Sequence, residues 1–132
     1  MSKLFITSEV NGTSTTVNGV VATGDLVKLV SGVATVTTVN TDLILGVAHS
    51  NDGTSTIIDL INAGEEYVIP TSAITTNNTF VADVAAGKMA SVYFTGTAFT
   101  YDATGNTLCG YSNRKVKDGY VIRFVPAVLV FC

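Results

Sequence analysis

Apolar and polar positions along this chain alternate with a period of two almost everywhere. Residues 25–30 put Leu26, Lys28 and Val30 on one face and Val27 and Leu29 on the other. Ser31-Gly32 turns the chain, and residues 33–39 return with Val33, Thr35, Thr37 and Val39 opposite Ala34, Val36 and Thr38. Such alternation predicts half-buried strands. Residues 15–21 alternate weakly, and residues 43–48 form a continuous apolar run, the mark of a short strand buried on both faces. Ser50-Asn51-Asp52-Gly53 is a turn.

The second half repeats the style. Residues 56–61 and 66–69 flank a Gly-containing loop, and residues 88–95 and 98–101 form a hairpin around Gly96. In that hairpin Met89, Ser91 and Tyr93 share one face, and Ala90, Val92 and Phe94 share the other. Residues 102–106 form a turn, residues 108–111 a second apolar run containing Gly, and residues 120–125 a strand whose Arg123 marks the outer face. Helical spacing is confined to residues 72–86, where the Thr and Asn content argues against even a short helical turn. Pro126 removes a ladder donor, so the run after it is predicted to be an edge strand or an arm.

Strands at this spacing predict an all-β, single-domain β-barrel or open β-tulip with short strands and Gly/Asn/Asp turns. Residues 1–21 are read as an N-terminal arm or first strand, residues 22–125 as the core domain, and residues 126–132 as an edge strand or tail. Two pieces resemble each other: Leu-Ile-Leu-Gly-Val-Ala-His-Ser from Leu43 and Thr-Leu-Cys-Gly-Tyr-Ser-Asn-Arg from Thr107. Their glycines, Gly46 and Gly110, are predicted to let a strand bend sharply or another strand approach closely.

Composition reinforces the strand reading. Threonine and valine make up roughly 30% of the chain, and both are β-branched residues suited to a pleated surface. Charged residues are only 13% and the net charge is −3, which argues against nucleic acid as a partner because phosphates would find no run of cations. No apolar run approaches the ~20 residues of a membrane span, and residues 4–6 are too short for the apolar core of a signal peptide. Cys109 and Cys132 are therefore expected to be reduced, with Cys109 buried.

Candidate chemistry is sparse. His49 is the single histidine, and no metal or cofactor site is read from it. The acidic residues sit mainly in turns, where they accept from nearby backbone amides. The loop Ser50-Asn51-Asp52-Gly53-Thr54-Ser55 resembles part of a calcium loop but lacks its distal Glu. No phosphate loop or nucleophile elbow is present, so no catalytic residue is assigned. The densest charge cluster is Arg114, Lys115 and Lys117, read either as a solvated hairpin loop or as an electrostatic contact for an acidic partner surface.

Five segments, residues 22–32, 43–48, 62–69, 91–112 and 118–124, occur in an order that resembles the small decoration, or head-stabilising, proteins of tailed bacteriophage capsids. The resemblance implies a structural virion protein on the outer capsid surface, made in the host cytoplasm. It implies the major capsid protein as partner, self-association as a homotrimer at three-fold or quasi-three-fold positions, and no catalysis. Leu4, Phe5 and Ile6, with strand propensity and apolar bulk, are the expected capsid anchors, joined by Arg114, Lys115 and Lys117. An ordinary first strand is the competing reading of residues 1–10. The runner-up function is a receptor- or glycan-binding β-domain of a virion fibre or tail, with Tyr93, Phe99, Tyr101 and Tyr111 as sugar platforms. A small hydrolase with a carboxylate pair is the third.

Overall fold

A computed structural model describes residues 5–6, 14–61 and 65–125. Among the described residues the fold is all-β but for one short α-helix. Its elements are β1 (Phe5–Ile6), β2 (Ser14–Asn18), β3 (Leu26–Val30), β4 (Val33–Val36), β5 (Gly46–Asn51), β6 (Ser55–Leu60) and β7 (Glu66–Pro70). A 3₁₀ turn (Thr71–Ala73) then leads to β8 (Ile74–Thr75), α1 (Asn78–Ala85), β9 (Ala90–Phe94), β10 (Phe99–Thr100), β11 (Thr107–Val116) and β12 (Gly119–Phe124). The predicted strands recur with shifted bounds: β5 starts only at Gly46 and runs on through Ser50 and Asn51 of the predicted turn, while β9 pairs with β10 around Gly96 as expected. Residues 126–132, the predicted edge strand or tail, lie outside the described residues, as does Leu4.

The helix at residues 78–85 corrects the sequence reading. Asn77, counted there as a helix breaker, is the N-cap: its side-chain oxygen accepts from the backbone N–H of Phe80. Asn suits that boundary position because it satisfies an orphan donor. Phe80 and Val84 then form the buried face, with the Phe80 ring 5.3 Å from that of Tyr120.

The strands form two sheets, in the orders β1-β7-β12-β11-β9-β10-β8 and β2-β6-β5-β3-β4. Within them one five-strand motif occurs twice. The run β2-β6-β5-β3-β4 has the connectivity of β7-β12-β11-β9-β10. Registers agree residue by residue. In the first hairpin Gly46 faces Leu60, Val47 faces Asp59 and Ala48 faces Ile58; after a one-residue shift, Ser50 faces Ile57 and Asn51 faces Thr56. In the second, Gly110 faces Phe124, Tyr111 faces Arg123 and Ser112 faces Ile122; after the same shift, Arg114 faces Val121 and Lys115 faces Tyr120. The likeness between the runs containing Gly46 and Gly110 is the sequence trace of this repeat. Both glycines are points of close strand approach: a Cβ there would lie 2.2 Å from Asp59 O and 2.3 Å from Arg123 O.

The two copies differ in what fills them. The smaller sheet curls until its edge strands nearly meet, where Gly19 lies against Ala34. Val27, Ala34, Leu45, Ala48 and Ile58 fill it. The corresponding interior of the larger sheet holds Val92, Phe99, Cys109, Ser112 and Ile122, joined by Tyr67, Phe94, Tyr120 and Phe124. Along β3 and β5 the smaller sheet is buried on both faces, since Leu26 and Val47 turn outward into that larger core. Of the run predicted as a strand at residues 43–48, Ile44 to Ala48 are buried, but Leu43 is exposed and the strand begins only at Gly46. Face alternation also holds in β12, where Tyr120, Ile122 and Phe124 enter the core and Arg123 stays partly exposed.

One loop is held electrostatically. The Asp42 carboxylate accepts from Thr38 N (2.8 Å), Val39 N (3.0 Å) and Lys28 Nζ (3.0 Å). Partial burial pushes its pKa up, but the two amides and the ammonium outweigh this and bring it to about 2. Because the folded value lies below the unfolded one, the contribution is full above pH ~4 and fades as pH falls toward 2. Asp42→Ala is expected to lose about 2 kcal/mol near neutrality, with a difference from wild type that shrinks in this acid window. Urea midpoints measured from pH 7 to pH 2 test this; a gap that stays constant to pH 2 would contradict it.

Candidate functional site

The residues predicted to carry function come to three separate places. Phe5 and Ile6 form β1, paired antiparallel with Val68 and Tyr67 of β7. β1 is the terminal strand of the larger sheet, so its far edge carries no strand among the described residues. The segment is thus paired as a strand of the larger sheet.

The basic residues do not form one patch. The shift in β11 between Ser112 and Arg114 keeps Ser112 buried while Arg114 points outward. There the Glu66 carboxylate sits between two guanidinium groups, at 3.3 Å from Arg114 and 3.1 Å from Arg123. At these exposures each pair contributes at most about 1 kcal/mol. The trio carries one net positive charge rather than two. Lys115 lies back over the Tyr120 ring, 5.7 Å from its centroid, and Lys117 stands exposed in the hairpin turn. No sequence signal joined Glu66 to the two arginines, because the register of β7, β12 and β11 brings them together.

The third place is a shallow cleft of about 290 Å³ between α1 and β9. Asn77, Asp83, Ser91, Tyr93 and Tyr101 line it, with Met89 at its rim. Of the four aromatics named as sugar platforms, Tyr93 and Tyr101 meet here. Phe99 is a core residue with 1% exposure, and Tyr111 faces Arg123 and Ser91 across the larger sheet. The alternation of residues 89–93 placed Ser91 and Tyr93 on one face. Asp83 and Asn77 joined them only through the helix the sequence reading had discounted.

Other polar groups are committed to structure. Asp52 accepts from Ser55 N and Thr54 N, which hold its carboxyl below the ordinary range. The calcium-like loop thus spends its carboxylate on its own turn. His49 lies 3.2 Å from Asp59 on the surface. Cys109 is a free, buried thiol; burial pushes its pKa up to about 12, so it is not a thiolate nucleophile at neutral pH. Among the described residues no group of three His, Cys, Asp or Glu side chains converges as a metal site, and no helix is long and apolar enough to cross a membrane.

No protein-family model matches the chain, and searches of curated proteins and of solved structures find no match either.

Proposed function

We propose that this is a structural virion protein that binds the outer surface of a tailed-phage capsid and stabilises the expanded shell. One observation carries the reading. Segments in the order of the capsid decoration proteins fall on β3, β5, β7, the β9-β10-β11 unit and β12 of a single all-β body. Such a body acts through surface and shape. If it binds the expanded lattice and not the precursor, it shifts the equilibrium between them by its differential affinity. Trimeric engagement multiplies a modest affinity per copy.

Attachment is assigned to β1, the terminal strand of the larger sheet among the described residues. A strand of the major capsid protein can add to its far edge through backbone hydrogen bonds, with Leu4, Phe5 and Ile6 as apolar anchors. Arg114 and Lys117 give a weaker electrostatic contact, since Glu66 already neutralises part of the charge.

The test is occupancy on purified shells. The protein is expected to bind expanded shells at least about tenfold more tightly than precursors. Deleting residues 2–9 should abolish decoration while circular dichroism stays β-rich. Serine at Arg114, Lys115 and Lys117 together should weaken it less. A truncated protein that folds and still decorates fully would remove the arm from the interface. Wild-type protein that ignores expanded shells would end the proposal.

A further inference from the structure

The repeat is broken in one place. In the first copy, a short connection of residues 19–25 links β2 to β3; in the second, β7 reaches β9 only after the 3₁₀ turn, β8 and α1. The inserted helix packs Phe80 and Val84 into the core and leaves the cleft beside β9, where Phe80 also forms part of the wall. The first copy has no counterpart of α1. Departures from an otherwise consistent pattern are where function is to be sought.

We propose that this cleft is a binding site for a neutral saccharide. Its walls combine two kinds of group. Tyr93 and Tyr101 are both half-buried, and Tyr101 packs against the core while its backbone N–H donates to Thr75 O. Packing against the core limits the movement of its ring, and an aromatic face suits the polarised C–H face of a sugar ring. Around it stand a carboxylate acceptor on Asp83, a hydroxyl on Ser91 and the amide of Asn77. Asn77 Oδ1 is used in capping α1, which leaves its NH₂ group to donate.

This combination selects the ligand class. Asp83 is the single charged group lining the cleft, so an anion finds repulsion and no cation. A purely apolar ligand would strip water from the carboxylate, amide and hydroxyl and return no hydrogen bonds. A sugar offers adjacent hydroxyls to Asp83 and an apolar face to the tyrosines at once. The volume is at the small end for ligand pockets, enough for one or two rings rather than an extended chain. An open, shallow site of this kind gives millimolar affinity per copy, which becomes useful adhesion when many copies are displayed. The site does not depend on the capsid reading and its test needs no capsid.

The experiment is a titration of ¹⁵N-labelled full-length protein with a panel of neutral mono- and disaccharides, with choline and inorganic phosphate as controls. At least one saccharide is expected to shift the amides of residues 77–83 and 89–93 saturably, with choline and phosphate inactive. Tyr93→Ala and Asp83→Asn should each weaken binding about tenfold or more, while the remaining amide shifts show the fold intact. Tyr93→Phe should retain binding, since the platform is kept. Overturning results are no saturable shifts at the cleft with any saccharide, shifts with choline or phosphate instead, or saccharide shifts undiminished in both Tyr93→Ala and Asp83→Asn.

Discussion

Gly110→Ala is expected to destabilise the protein by about 3 kcal/mol or more, and Gly46→Ala to do the same from the other copy of the repeat. The added Cβ at residue 110 would sit 2.3 Å from Arg123 O and 3.1 Å from Arg123 C. Neither atom can move aside easily. β12 is held between β11 and β7 by ladders on both edges, so relieving the clash means shifting three strands. At residue 46 the obstacle is Asp59 O at 2.2 Å and Ile58 Cγ2 at 2.8 Å. Here β6 is held between β5 and β2. Gly32→Ala isolates the conformational part: Gly32 has φ +78 with open space around its Cβ position, so only the left-handed backbone is penalised, by about 1 kcal/mol. Urea unfolding at constant m separates the cases. Equal losses at residues 32, 46 and 110 would show that close strand approach is not what these glycines provide. A loss of 3 kcal/mol is a large share of the ~5–15 kcal/mol that holds a domain folded.

What the sequence made legible follows from the range of each interaction. Alternation and turn chemistry are local, so β3, β4, β6, β9 and the hairpin around Gly96 could be read directly, as could the inward face of β12. The likeness of the runs containing Gly46 and Gly110 was visible too. Its meaning was not, because the repeat lives in strand order and register rather than in residue identity. Ile58 and Ile122 are alike, but Thr56 answers to Tyr120 and Asp59 to Arg123. The helix was missed because propensity averaged over Thr and Asn hides a single Asn acting as a cap. With it went Asp83 and Asn77 as partners of Tyr93 and Tyr101. Arg114 and Lys115 were seen as one charge cluster, but the shift in β11 sends Arg114 to Glu66, while Lys115 lies back over Tyr120. Charge in sequence became two separate contacts in space.

Phe99→Ala is expected to cost about 3–5 kcal/mol, the second large effect, and the repeat explains why. Phe99 is 1% exposed, with ring centroids of Phe94 and Phe124 at 5.7 and 6.1 Å; Tyr67 extends the chain of rings from Phe124 at 5.9 Å. At the equivalent place in the smaller sheet stands Ala34, opposite Leu29 as Phe99 is opposite Phe94. There alanine is the fitting residue, since Gly19 lies against its backbone where the sheet curls on itself. Side-chain size at one repeated position thus separates the two forms of the motif: Ala34 allows the tight curl, and Phe99 holds the larger sheet open around a core that Phe80 and Val84 complete. Ala34→Phe should therefore destabilise as well, by about 1–3 kcal/mol or more through overpacking. The two changes together should add rather than compensate, because the residues belong to different clusters. Denaturation of the single and double variants tests this. An Ala34→Phe protein as stable as wild type would show that the smaller sheet has room to open, and would remove size at this position as the cause of the difference between the halves.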